Sequence, residues 1–375
     1  MIRNYERVRY AEKPVVVFDI GNAYTKFGFA GEPSPRGIVK SEVKCPEAKE
    51  IRRIFSYKDS EDLYQLLVEF LQNLFFKQIV ISPKDVKVVV LESLLTTTQF
   101  RDTLAKVFFR HFEIGSLMIL SSHLVSISTL GTETALVLDV GYEEAILIPI
   151  FEGIPVLKAW QALPLASRAV HDCIRKEMKD TIPDLELSER IIEDIKVRTC
   201  FITTRERSVK LNDENELSPP PAVKYPGVQN FEIPGFVREK AYEVLWDRDN
   251  DNLSVPTMIL DAIIKCPVDM RRVLAENILL VGGTTMATGF VSRLKSELLY
   301  LVNSNLYSEK LKVRTFKFHT TPSFANYTAW LGGAIFGVAD LPLRCISKEH
   351  YLKTNRVPDW ANLMDNQKIL TNCGL

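Results

Sequence analysis

The sequence predicts an α/β fold in which short buried strands alternate with helices and an opening hairpin recurs in the second half of the chain. Three observations carry this. Continuous apolar runs of strand length alternate with segments whose apolar residues recur at helical spacing. The run Val15-Val16-Val17-Phe18-Asp19-Ile20-Gly21 is echoed by Ala135-Leu136-Val137-Leu138-Asp139-Val140-Gly141, 120 residues later. The composition of the 375 residues, 46% hydrophobic and 25% charged, is that of a globular chain and excludes disordered, collagen-like and coiled-coil classes.

The elements follow in order. Residues 15–18 form an apolar run closed by Asp19 and Gly21, which predicts a buried strand, and Lys26-Phe27-Gly28-Phe29-Ala30 reads as its hairpin partner. Ser60, followed by Glu61 and Asp62, predicts a capped helix start, since acids suit the positive end of a helix. The apolar face of Leu63, Leu66, Leu67, Phe70, Leu71 and Leu74 carries that helix to about Phe76. Residues 87–91 form the next strand, Phe100, Leu104, Val107, Phe108 and Phe112 mark a helix, and residues 118–120 a further strand. In the second half a Gly-x-Pro turn follows the hairpin at Gly153-Ile154-Pro155, as it does at Gly31-Glu32-Pro33. Ser188 and Glu189 start a helix through Asp194-Ile195-Lys196 toward Cys200. Residues 203–235, with Ser218-Pro219-Pro220-Pro221, Pro226-Gly227, Pro234-Gly235 and the polar run Asn212-Asp213-Glu214-Asn215-Glu216, predict a loop-rich, surface-exposed segment. Helix resumes at Arg271, and residues 277–281 form a strand running into Gly282-Gly283-Thr284-Thr285.

Charge and cysteine usage narrow the function. Lys+Arg and Asp+Glu are 47 each, so no general attraction to nucleic acid or to an anionic membrane is expected. The charged start Met1-Ile2-Arg3-Asn4-Tyr5-Glu6-Arg7 is not a leader peptide, and the apolar stretches are too short for membrane insertion. Six scattered cysteines without a Cys-x-x-Cys argue against a zinc module and a disulfide framework. Two Asp-x-Gly turns at strand ends suit a nucleotide, because glycine permits a tight turn and close backbone approach to phosphate. Asp19 and Asp139 suit the water shell of Mg²⁺, which keeps several of its waters. Lys26 is placed to meet a phosphate oxygen, and Gly282, Gly283 and Thr284 offer bare backbone to a flat ring or ribose. Singly, each is an ordinary turn or loop; the ordered set points to a nucleotide.

Further segments extend that set: Phe27-Gly28-Phe29-Ala30-Gly31-Glu32, Pro35-Arg36, Pro149-Ile150-Phe151-Glu152-Gly153, Asp194-Ile195-Lys196, Cys266-Pro267-Val268-Asp269-Met270-Arg271, Gly282 to Gly289, Trp330-Leu331-Gly332-Gly333-Ala334-Ile335 and Ile346-Ser347-Lys348. In this order they resemble the actin family, within the superfamily that also holds Hsp70 and the sugar kinases. The resemblance covers most of the chain. It implies an actin-like two-lobed fold, with a five-stranded sheet in each lobe and a central nucleotide cleft. The first lobe is then 1–130 with 328–375, its outer subdomain truncated, and the second is 131–327, with the loop-rich segment inside it. Asp19, Gly21, Asn22, Lys26, Asp139, Gly141, Lys196, Gly282, Gly283 and Thr284 become the remains of a nucleotide site. Its implied ligand is ATP or ADP with Mg²⁺, weakly held, the metal meeting Asp19 and Asp139 through water.

Departures from the family pattern bear on function. The family's phosphate loops read Asp-x-Gly-Ser-Gly and Asp-Ser-Gly-Asp-Gly; here they read Asp19-Ile20-Gly21-Asn22-Ala23 and Asp139-Val140-Gly141-Tyr142-Glu143. A side chain at the last position costs about 1–2 kcal/mol if the backbone there is left-handed, and Glu143 brings a carboxylate toward phosphate. The water-positioning glutamine aligns with Ser122, the following histidine with Ile146, and the adenine-framing lysine and tyrosine with Asn326 and Ala287. These changes imply little or no hydrolysis, hence no enzyme. Only 23 residues separate Arg36 from Ser60. That is shorter than in the family, and the resemblance implies that the missing piece is the loop that a filament subunit inserts into its neighbour.

A trimmed subunit of this kind accepts a neighbour on one face only. With the Cys200-Phe201 helix end, the Ser218-Pro219-Pro220-Pro221 loop and the tail Val357-Pro358-Asp359-Trp360, the resemblance implies a cytoplasmic, cytoskeletal cap at the pointed end of the dynactin minifilament. The implied partners are the actin-related filament subunit of dynactin and the other dynactin pointed-end subunits, with dynein indirectly. Two other classes stay open: an ATP-hydrolysing actin-like protein or sugar kinase, and a chromatin-associated actin-related protein. The former needs a catalytic acid or glutamine that Tyr142, Glu143 and Ser122 do not supply. The latter usually carries insertions, and this chain has no Lys/Arg run of the nuclear type.

Overall fold

Apolar runs bounded by turn residues become the strands of two main sheets. A computed structural model describes residues 14–44, 51–183, 185–211, 218–226, 231–248, 251–339, 345–359 and 361. The chain divides into two compact units, 1–131 with 327–375, and 132–326.

In the first unit the strand Val15–Ile20 pairs antiparallel with Tyr24–Phe29 and parallel with Lys87–Glu92. The full order, by first residue, is 346, 116, 87, 15, 24, 37, which makes six strands rather than five. The additional edge is Ile346–Ser347, laid antiparallel on Ser116–Ser121. Val16, Val17 and Phe18 are fully buried because both faces of the sheet are covered. On one face Phe18 packs against Phe75 and Phe108, with ring centroids 5.5 and 6.0 Å apart. On the other, the buried Trp330 donates its indole N–H to the Val17 carbonyl at 3.1 Å. Its helix Thr328–Val338 lies so close to Ser122–Ser128 that a Cβ on Gly332 would stand 2.0 Å from the Val125 carbonyl oxygen.

Two helix boundaries differ from expectation. The cap of Ser60–Asn73 is Asp59, not Ser60: its carboxylate accepts from the N–H groups of Glu61 and Asp62. The helix also runs past Phe76, as a π-helical segment Leu74–Ile79 that ends on a left-handed Val80. The short stretch after Arg36 is a strand, Gly37–Lys40, followed by a two-stranded ladder of Glu42–Lys44 with Ile51–Arg53.

In the second unit Ala135–Val140 pairs antiparallel with Ala145–Phe151 and parallel with Ile278–Val281, while Ile154–Pro155 and Gln161–Leu163 both pair with Ala145–Phe151. The recurrence reaches the strand exits: Gly31 and Gly153 both take left-handed φ, 82° and 74°. Ser188 caps Glu189–Thr199 by accepting from the Ile191 N–H. Helix returns before Arg271, at Val255–Lys265, whose start is fixed by a Ser254/Thr257 capping box, and Arg271 lies inside the next helix, Val268–Ala275.

The described residues of the expected loop 203–235 include regular structure. They hold the helix Arg205–Leu211 and a hairpin of Val223–Lys224 with Glu232–Ile233. Arg207 clamps the fully buried Glu239, Arg293 bridges the Thr203 carbonyl and buried Glu243, and Arg238 donates to the Thr199 and Pro221 carbonyls. Buried carboxylates require such partners, and the partners pin the segment. The N-terminal run 1–7, Asn212 to Glu216, Gly227 and Trp360 lie outside the described residues. Among the described residues no helix is long and apolar enough to cross a membrane, and no group of three or more His, Cys, Asp or Glu is placed to hold a metal.

Candidate nucleotide-binding turns

The first turn closes the hairpin of Val15–Ile20 and Tyr24–Phe29. Register places Asp19 opposite Lys26, and the two side chains form an ion pair at 2.9 Å, each about 15% exposed. The Gly21 N–H donates to the Tyr24 carbonyl at 3.2 Å, and a Cβ on Gly21 would sit 2.9 Å from that oxygen. Glycine is therefore required here by closeness, not by handedness. Ser41 secures the turn from outside: its hydroxyl donates to the Gly21 carbonyl at 2.6 Å and its N–H to the Ala23 carbonyl at 2.9 Å. Ser41 was not among the expected site residues; its signal lies in position alone, one residue beyond the strand Gly37–Lys40.

The second turn closes Ala135–Val140 and Ala145–Phe151, with Ile146 in the position opposite Asp139. Neither Ala23 nor Glu143 adopts a left-handed backbone, so the strain expected at these non-glycine positions does not arise. The Glu143 carboxylate is taken by Arg168 at 2.7 Å. The Tyr142 hydroxyl donates to Glu189 at 2.6 Å. Glu189 also meets His171 Nδ1 at 2.6 Å and Arg175 at 2.7 Å. The His171 hydrogen bond is the main cause that holds the Glu189 carboxyl low, at about 2. The Gly141 carbonyl accepts from the Thr284 hydroxyl at 2.7 Å and from the Ser167 N–H at 3.3 Å.

Gly282 follows the strand Ile278–Val281 with φ 91°, and a Cβ there would stand 2.3 Å from the Val140 carbonyl oxygen and 2.5 Å from an Asp139 oxygen. Both its handedness and the second turn exclude any side chain at Gly282. Gly283 and Thr284 lie in the 3₁₀ segment Gly283–Met286 beside it. Lys196 is buried and donates to Ser167, and burial pushes its pKa down to about 8. Ser122 is buried and meets His123 Nδ1 at 3.3 Å, while Ile146 is a buried strand residue. The Asn326 amide oxygen is buried without a hydrogen-bond partner, and Ala287 packs on the hydrophobic core of the second unit.

Within the first unit, then, Asp19, Gly21, Asn22 and Lys26 share one turn. Within the second, Asp139, Gly141, Gly282, Gly283, Thr284 and Lys196 share one neighbourhood. The first turn, with a lysine at its mouth, fits an anion. The second, with Glu143 and Glu144 on it, does not fit a phosphate in the same way, and each turn offers one aspartate to a hydrated cation.

Comparison with known proteins agrees with this architecture. A profile of the Actin family matches residues 58–355. The chain is 24% identical to "Actin-related protein 10" of Dictyostelium discoideum, over 94% of this chain and 90% of that protein. It is 25% identical to "Putative actin-29" of the same organism, over 90% of this chain and 94% of that protein. The chain belongs to the actin family.

Proposed function

We propose that this chain is a non-catalytic actin-related protein that caps the pointed end of the dynactin minifilament in the cytoplasm. In this reading it seats the other pointed-end subunits there, and serves dynein-driven movement along microtubules through them. The observation that carries the reading is the short segment after Arg36. Its 23 residues hold the strand Gly37–Lys40 and both strands of a two-stranded ladder before Ser60. A longitudinal contact between like subunits is heterologous and continues until one face is blocked. A subunit without the projecting loop accepts a neighbour and passes nothing on. The 24% identity to a protein named "Actin-related protein 10" supports the same direction.

Hydrolysis is absent in this reading. Phosphoryl transfer in such sites rests on a positioned water and on charge stabilisation. Ser122 is buried against His123, and Ile146 has no polar group to orient water. A weakly held ATP or ADP with Mg²⁺ is then a structural ligand rather than a substrate.

The test is assembly. Purified full-length protein in salt and Mg-ATP that polymerise actin stays in the supernatant on sedimentation, and tagged protein recovers the actin-related filament subunit together with other dynactin subunits. Filaments of this protein alone, or recovery of chromatin-remodelling subunits in place of dynactin, would overturn the proposal. Phosphate release from Mg-ATP at actin's rate would remove the non-catalytic half of it.

A further inference from the structure

A helix N-terminus beside a glycine turn binds anions when its leading N–H groups face the ligand. At the second turn the first two of those groups are spent. The helix Ser167–Thr181 has no side-chain cap from Ala166. Its first two N–H groups, of Ser167 and Arg168, donate to the carbonyls of Gly141 and Tyr142 at 3.3 and 2.8 Å. The turn thus caps the helix, and the helix holds the turn. Side chains repeat the arrangement, Tyr142 on Glu189 and Glu143 on Arg168. What the turn presents to a ligand is acidic. Arg168 is 60% exposed and Glu143 29%, so water screens this pair and its single cation offsets the carboxylate only in part. Glu144, next to it, is half-buried.

We propose that Glu143, clamped by Arg168, sets how much phosphate charge a bound nucleotide can carry, so that the protein discriminates against ATP more than ADP and leaves adenosine unaffected. This deepens the nucleotide reading above and rests on it. The physical basis is that a fixed carboxylate repels each added phosphate, while a neutral ligand feels no such term. Among the described residues, the guanidinium of Arg168 is the cation that pairs with Glu143, at 2.7 Å.

The test is calorimetric titration of full-length protein with adenosine, ADP and ATP in Mg²⁺, for wild type, Glu143→Gln and Arg168→Gln. Glu143→Gln removes the charge and keeps the shape. It is expected to lower the ATP Kd about tenfold, on the order of one partly screened unit charge, and to leave adenosine within about twofold. Arg168→Gln bares the carboxylate and is expected to raise the ATP Kd by about threefold or more. Opposite signs cannot come from a general loosening of the turn, and thermal melts of both variants report that they fold. If the two variants shift ATP in the same direction, or if the ATP-to-adenosine ratio is unchanged while wild type binds, Glu143 is not the determinant and only this proposal falls. If neither wild type nor Glu143→Gln binds any of the three ligands at millimolar concentration, the nucleotide reading falls with it.

Discussion

In the first hairpin the aspartate at the strand end faces a lysine, Asp19 opposite Lys26 at 2.9 Å; in the second the same position faces an isoleucine, Asp139 opposite Ile146. The strands are alike: an apolar run, an Asp, a Gly and an antiparallel return. Their ends differ. The first turn is fastened by Ser41, next to its own sheet, and keeps a cation at its mouth. The second is fastened by Thr284, the helix Ser167–Thr181, Arg168 and Glu189, all far along the chain, and carries acids. Strand packing therefore preserves the hairpin in both places, while the chemistry of each turn is free to diverge.

The largest expected effect tests how far the second turn depends on distant parts of its unit. Gly282→Val places carbon atoms against the Val140 carbonyl and the Asp139 carboxylate, at 2.3 and 2.5 Å for the Cβ alone, on a backbone with φ 91°. Both residues belong to the strand Ala135–Val140 that opens the second hairpin. A loss of about 4 kcal/mol or more is expected in denaturant unfolding, the range reserved for overpacking combined with a forbidden backbone. A loss below about 1 kcal/mol would show that the second turn moves away freely, and the contrast with the first turn would be lost.

A pH titration of stability comes next. Lys196 is buried, and burial lowers its pKa from 10.5 to about 8. Between those values the unfolded chain binds a proton that the folded chain has released. Stability from this group therefore rises with pH from about 8 to about 10.5 and is absent below. The full excursion is about 3 kcal/mol at 1.36 kcal/mol per unit. Lys196→Met, which keeps the length and removes the titration, is expected to flatten that limb. An unchanged alkaline limb in the variant would place the lysine in water, contrary to its burial.

How much of this was legible follows from where the determining contacts lie. The hairpins were readable because four or five consecutive apolar residues ending in Asp-x-Gly specify a buried strand and its turn locally. Gly282 was readable for the same reason, a strand running into Gly-Gly. The helix Val255–Lys265 was not, since it is apolar on nearly every face and begins with a proline in its first turn. The π-helical endings at Leu74–Ile79 and Val107–His111 leave no mark in the apolar spacing. The fastening of the second turn was illegible because its partners stand 25 and 47 residues away, for Glu143 with Arg168 and Tyr142 with Glu189. A strand-to-turn tyrosine and glutamate give no hint of what they will touch. The cost that a left-handed backbone would impose at Ala23 and Glu143 does not apply, because these turns do not use one.

The two glycines of the turns sharpen the comparison at intermediate cost. A Cβ on Gly21 would stand 2.9 Å from the Tyr24 carbonyl oxygen, whereas on Gly141 the nearest such atom, the Glu144 oxygen, is 3.6 Å away. Gly21→Ala is expected to lose about 2 kcal/mol, in the range of overpacking, and Gly141→Ala less than about 0.5 kcal/mol, as an ordinary contact without backbone strain. Parallel thermal melts decide it. Equal losses would mean that the two turns are equally tight and that only their side chains distinguish them.

The smallest effect concerns Tyr142. Its hydroxyl donates to Glu189 at 2.6 Å, but Glu189 keeps His171 and Arg175, so Tyr142→Phe leaves no buried carboxylate stranded. The ring also keeps its edge-on contact with His171, 5.7 Å between centroids. About 1 kcal/mol is expected, the net value of one hydrogen bond to a charged acceptor that retains others. The acid limb gives a second readout. Glu189 is depressed to about 2, chiefly by the hydrogen bond to His171, with Tyr142 contributing less. Its contribution to stability is full above the ordinary carboxylate range and is lost as pH falls toward about 2. Removing the tyrosine hydroxyl raises the folded-state pKa, so the variant loses less on acidification than wild type and the two curves converge at low pH. Curves that stay parallel down to about pH 2 would show that Tyr142 holds the turn through ring packing alone, and that the second turn is fastened by Arg168 and the helix N–H groups without it.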